Sequence, residues 1–98
     1  MPKTKLYLRP EAIRDMERVW SDGLTRWSVR QCEACLDGLY EHMLSLTEFP
    51  ERYRERDEFT PPVRIAPYQS HIVIYRQEAG TLDVLRIRHG SEDWMEVD

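Results

Sequence analysis

Arginine and histidine punctuate three stretches of the C-terminal half that otherwise read as interior strand. These are Val63-Arg64-Ile65-Ala66, His71-Ile72-Val73-Ile74-Tyr75-Arg76 and Leu82-Asp83-Val84-Leu85-Arg86-Ile87-Arg88-His89-Gly90. Guanidinium groups at strand spacing can grip carboxylates or phosphates through two parallel hydrogen bonds. Imidazole can exchange protons near neutral pH. With Leu85 and Ile87 turned inward, period-two alternation sends Arg86 and Arg88 together to the opposite face. Arg64 has the opposite parity to Val63 and Ile65 and is expected to join them. A small sheet with one apolar and one cationic face is suited to holding an acidic or amphipathic segment. The competing reading is internal pairing of Arg86 and Arg88 with Asp83, Glu92 or Asp93, and a phosphate site is a third. His71 and His89 stand at a strand start and a strand end with no carboxylate fixed beside them by spacing. They read as hydrogen-bonded structural groups, and Tyr75 as a filler of the sheet interior or rim.

Other candidate chemistry is thin. Cys32 and Cys35 form the one Cys-x-x-Cys. A redox role would want the pair at a helix start after a strand, and a zinc role would want a second ligand pair. Neither context is present, and His42 lies about two helical turns beyond Cys35. Two small apolar residues on a buried stripe is the reading. The sequence has no glycine-rich phosphate loop, metal-ligand cluster or nucleophile arrangement. No catalytic residue, cofactor or metal is expected.

The elements that position these residues follow from local pattern. Lys5 to Leu8 reads as a short strand. Pro10 opens a helix at the first helical position, with Glu11 where the helix dipole favours acid. Ile13, Met16, Trp20, Leu24 and Trp27 recur at three- and four-residue spacing and predict one buried stripe, with both tryptophans in the core. Ser28 and Gln31 form a capping box for a second helix, whose stripe is Cys32, Cys35, Leu36, Leu39, Tyr40, Met43 and Leu46, ended by Phe49-Pro50. With almost no loop between them, the helices are expected to form an antiparallel hairpin. Residues 51–62 alternate charge, end in Pro61-Pro62, and read as an exposed connector tethered by Tyr53 and Phe59. Three strands on tight links then form an antiparallel meander. The fold class is α+β, strand–helix–helix–strand–strand–strand, an antiparallel sheet packed on a helical hairpin.

At 98 residues with 41% hydrophobic and 33% charged side chains, the chain makes one domain, 1–98. The net charge is −4. Acid concentrates on the helices and on the tail 91–98 (Glu92, Asp93, Glu96, Asp98), whereas the strands are basic. A chain of this balance lacks the broad positive footprint of a dedicated nucleic-acid binder. No apolar run approaches the roughly 18 residues of a membrane span. The opening Met-Pro-Lys-Thr-Lys has no apolar stretch behind it, so a cytoplasmic location without membrane contact is expected.

Taken in order, these segments resemble the RelE/ParE superfamily of bacterial type II toxins, and its ParE branch in particular. The resemblance is carried by the first strand with Leu8-Arg9-Pro10-Glu11-Ala12, Asp15 to Trp20, Arg26-Trp27-Ser28 and Leu46 to Pro50. It continues through Val63-Arg64-Ile65, Ser70 to Arg76, and Val84 to Gly90 with Asp93-Trp94. RelE-like members are ribosome-dependent mRNA endonucleases, with basic residues on and just after the last strand. Here Gly90-Ser91-Glu92-Asp93-Trp94 carries acids at that place, which disfavours stabilising a phosphate transition state. The ParE reading implies a DNA gyrase inhibitor working by protein contact. It also implies a hetero-oligomer with a cognate ParD-like, ribbon-helix-helix antitoxin, which would lie over the helices and reach the sheet. Arg64, Arg86, Arg88, His89 and Trp94 are the expected partner-binding residues. The alternatives are a RelE-like nuclease and a non-toxic relic that still binds an antitoxin.

Overall fold

The computed structural model describes residues 4–90. Strand β1 (Lys5–Leu8) leads into helix α1 (Pro10–Leu24), and helix α2 (Val29–Leu46) follows after a short link. Strands β2 (Glu55–Arg56), β3 (Val63–Tyr68), β4 (His71–Glu78) and β5 (Thr81–His89) complete the described residues. The five strands form one sheet in the order β1-β5-β4-β3-β2. The expected meander of β3, β4 and β5 is antiparallel throughout. The sheet as a whole is mixed, because β1 pairs parallel to β5, with Lys5 opposite Thr81 and Leu8 opposite Val84. The two-residue β2, read from sequence as connector, pairs with Val63 and Arg64. Pairing this short is set by the strand beside it and leaves no periodic signal of its own.

Local chemistry explains the boundaries. Pro10 occupies the start of α1, and Glu11 lies in its first turn. The capping box forms as expected: the Gln31 backbone N–H donates to Ser28 Oγ at 3.2 Å, and the Ser28 N–H donates to Gln31 Oε1 at 3.1 Å. The β4–β5 hairpin turns through Ala79 and Gly80, with φ of 45° and 79°. Positive φ at both central residues matches the right-handed strand twist.

Helix α1 is rotated relative to its expected stripe. Ala12, Asp15 and Gly23 are buried, with Met16 packed beside them, while Ile13 and Leu24 are exposed. The small residues permit close approach: a Cβ on Gly23 would stand 2.7 Å from Cys32 Sγ on α2. Trp27 is 51% exposed, against the expectation of a core residue. It follows the last residue of α1, so the helical period does not govern its direction. On α2 the expected stripe holds for Cys32, Leu39, Met43 and Leu46, whereas Tyr40 is exposed.

The core has two layers. Between helices and sheet, Leu39, Met43 and Leu46 pack against Val73, Tyr75 and Val84. On the other face, Val63, Ile65, Ile72 and Ile74 form a second cluster with Phe59 and Leu85 against it.

Tyr75 is fully buried, and its hydroxyl donates to the Pro50 carbonyl oxygen at 2.8 Å. That bond anchors the segment after α2 to the middle of the sheet. Burial pushes the Tyr75 phenol up to about 12. An unfolded tyrosine titrates near 10. The folded state therefore favours the neutral phenol. The resulting stability is present below pH ~10 and is lost as pH rises toward ~12, by up to about 2 kcal/mol. Urea midpoints measured from pH 9 to 12 should fall more steeply for the native chain than for Tyr75→Phe. Parallel pH profiles would refute this assignment.

Candidate partner-binding surfaces

The guanidinium expected on the open sheet face at position 86 is drawn elsewhere. Between β4 and β5 the register slips at Ile74/Tyr75, so Tyr75 faces Val84 and Ile74 faces Arg86. Leu85 is the extra residue of this bulge, and it packs with Ile72 and Ile74 instead of entering the helix-side core. A bulge re-aims the side chains next to it. Arg86 reaches α1, where its Nε and Nη2 donate to Asp15 at 2.7 and 3.1 Å. The Ile87 backbone N–H donates to the same carboxylate at 2.9 Å. Asp15 is 3% exposed. Strand β1 has already turned into α1 at this level, so the Asp15 carboxylate caps the β5 edge beyond the parallel ladder.

The other arginines also find positions that periodicity alone did not predict. Arg64 lies opposite Tyr75, on the helix side, and its Nη1 donates to the Tyr53 carbonyl oxygen at 2.6 Å. It does not join Arg86 and Arg88. Arg88 is half-buried and lies opposite Ile72. Asp83, considered from sequence as a partner for Arg86 or Arg88, instead accepts from Arg9 Nη2 at 2.8 Å. Trp94, with Glu92 and Asp93, lies outside the described residues.

His71 and His89, unconnected in sequence, are cross-strand neighbours with ring centroids 5.4 Å apart in an edge-on arrangement. They stand on the wall of a cleft of about 530 Å³ between the end of α1, the start of α2 and the adjoining ends of β4 and β5. Arg18, Arg26, Trp27 and Cys35 contribute to its lining. Burial pushes the Cys35 thiol above its usual range, which makes it a poorer thiolate nucleophile. Cys32 and Cys35 are both free thiols. Among the described residues, no group of three or more His, Cys, Asp or Glu is placed to hold a metal ion. Among them, no helix is long and apolar enough to cross a membrane.

The cleft opens at the helix junction, where Leu24, Trp27 and Val29 are 42%, 51% and 54% exposed. Large apolar groups beside cationic ones, at the rim of a concave site, are what a partner's anchor residues require. Sequence reasoning passed over Trp27, Arg18 and Arg26 as binding residues. The available signal was that Trp27 falls in the short link, beyond the capped end of either helix.

The family model for the ParE toxin of the type II toxin–antitoxin system, parDE, matches residues 6–94. Among solved structures, one titled a chromosomal ParDE TA system from P. aeruginosa is similar with a TM-score of 0.79 at 14% identity. The alignment covers 91% of this chain and 98% of the other, a likeness of fold over nearly the whole of both. No curated protein sequence matches the chain.

Proposed function

The chain belongs to the ParE toxin family of type II toxin–antitoxin systems, and on that premise we propose that it poisons DNA gyrase by protein contact while a ParD-like, ribbon-helix-helix antitoxin holds it inactive. It is the toxin component of such a pair, and an antitoxin is its partner. The observation that carries the contact reading is the chemistry of the sheet. The face turned away from the helices is built on a buried aliphatic cluster of Val63, Ile65, Ile72 and Ile74. Desolvating a phosphate against aliphatic groups is unfavourable. Two arginines that could have cradled one are engaged elsewhere, Arg86 with Asp15 and Arg64 with the Tyr53 carbonyl. The segment after β5 adds Glu92 and Asp93. These features suit an apolar, charge-rimmed protein contact better than a nuclease centre.

Arg64, Arg86, Arg88, His89 and Trp94 are the proposed partner-binding residues, for antitoxin or target, in the cytoplasm where gyrase acts. The antitoxin is assigned to the helix junction, with Trp27 in the cleft as the principal anchor point and Arg18 and Arg26 at its rim. Purified toxin should inhibit supercoiling and trap cleaved DNA in a gyrase assay, and stoichiometric antitoxin should reverse both. Programmed ribosomes exposed to the same toxin should retain intact mRNA by primer extension. Site-specific mRNA cuts that vanish in Arg88→Ala would replace this reading with the RelE-like one. Absence of gyrase inhibition in a sample that still binds antitoxin would leave a non-toxic antitoxin-binding protein.

A further inference from the structure

The cleft at the helix junction carries charge that runs against the rest of the chain. The sequence as a whole sums to −4, with acid concentrated on the helices. In the lining of the cleft the balance reverses. On α1, Asp15 is matched by Arg86, which leaves Arg18 against Asp22. The helix link adds Arg26, and the ends of β4 and β5 add His71 and His89. From α2 come Cys32 and Cys35, and burial pushes the Cys35 thiol up, so it stays uncharged near neutral pH. The two imidazoles are held as a pair. They stand opposite each other in the β4–β5 register with ring centroids 5.4 Å apart. Beside them the Gly90 N–H donates to the Ser70 carbonyl oxygen at 2.7 Å and closes the ladder.

We infer that this cleft takes a carboxylate borne on an apolar segment of the antitoxin, and that the His71–His89 pair gains a proton as the segment binds. The inference rests on the assignment of the antitoxin to the helix junction and names the chemistry that the site selects. Trp27, half exposed at the rim, receives the apolar part. Among the described residues Arg18 and Arg26 make no ion pair, so an incoming carboxylate displaces no internal one there. A volume of about 530 Å³ is in the range of sites that enclose such groups. A second copy of the chain fits poorly, because its own helices would bring like charge to like. Imidazole changes charge between pH 5 and 8, and a carboxylate brought against it favours the charged form. Linkage then fixes the sign. A pair that holds its proton more tightly in the complex strengthens association as pH falls.

The test is titration calorimetry of purified cognate antitoxin into the full-length toxin at pH 6, 7 and 8, in two buffers of different ionisation enthalpy. Kd should be about fivefold lower at pH 6 than at pH 8, with net proton uptake at pH 7. The double variant His71→Gln, His89→Gln should lose both effects. His42→Gln, which alters the histidine packed on Tyr68 outside this lining, should lose neither. Imidazole NMR shifts of the native chain give the same readout without substitution, and those of His71 and His89 should move toward the charged form when antitoxin is added at pH 7. Proton uptake that persists in the double variant, or imidazole shifts that stay put on binding, would overturn the inference. A Kd that does not change with pH, while Trp27→Ala still weakens binding, would overturn it and leave the docking site standing. Proton uptake that depends on the histidines, with Trp27→Ala binding normally, would uphold the carboxylate contact and remove the tryptophan anchor instead.

Discussion

Replacing Asp15 with alanine should destabilise the free toxin by about 3 kcal/mol, the largest loss expected from any substitution outside the aliphatic core. The carboxylate accepts from Arg86 Nε and Nη2 and from the Ile87 N–H while being 3% exposed. Its removal takes the acceptor from the buried Ile87 N–H and two hydrogen bonds from the Arg86 guanidinium, whose side chain is 22% exposed. The residual exposure of Arg86 lets water recover part of the loss, which places the value toward the low end of the range for broken buried pairs. A domain of this size has roughly 5–15 kcal/mol in total, so the variant should survive only marginally without antitoxin. Asp15→Asn keeps an oxygen for the Ile87 N–H and should fall between the two. Urea midpoints on antitoxin-free protein measure all three. A midpoint for Asp15→Ala within error of the native one would show that the β5 edge does not depend on this cap.

The same residue explains why α1 faces as it does. Hydrophobic spacing alone placed Ile13, Met16, Trp20, Leu24 and Trp27 inward. The helix instead buries Ala12, Asp15 and Gly23, because an ion pair and two small side chains dock it more closely than bulky ones could. Periodicity weighs only apolar residues, so a buried acid is invisible to it. Features written in neighbouring residues were legible: Pro10 opening α1, Ser28 and Gln31 capping α2, and tight turns linking β3, β4 and β5. Those that depend on distant pairing were not. The parallel match of β1 to β5, the two-residue β2 and the bulge at Leu85 all arise from contacts across the chain.

The surfaces divide along the same line. Arg86 and Arg88 stand out in the sequence as charges on strands that otherwise read as core, yet the bulge hands Arg86 to Asp15. Arg64 had the expected opposite parity to Val63 and Ile65, but parity alone could not say which face of the sheet meets the helices. His71 and His89 became neighbours only through the β4–β5 register, which the residues between them do not announce.

Trp27→Ala should weaken antitoxin binding by at least about 2 kcal/mol, roughly 30-fold in Kd, while changing the stability of the free toxin by about 0.5 kcal/mol or less. The asymmetry follows from its position. An indole 51% exposed contributes little to its own fold, yet it offers a partner a large apolar surface beside the cleft that Arg18, His71 and His89 help to line. Aromatic groups at the centre of such contacts, ringed by charge, dominate binding. Arg18→Ala and Arg26→Ala should act mainly on the association rate and its salt dependence, as rim charges do. Titration calorimetry with purified antitoxin gives the affinities, and urea unfolding gives the control. In cells, the Trp27→Ala toxin should need more antitoxin for the same growth. Unchanged affinity in Trp27→Ala, with loss confined to Arg88→Ala, would move the antitoxin from the helix junction to the sheet. The two partners proposed here would then compete for one surface, and neutralisation would be direct occlusion of the gyrase contact instead of capture from the helical side.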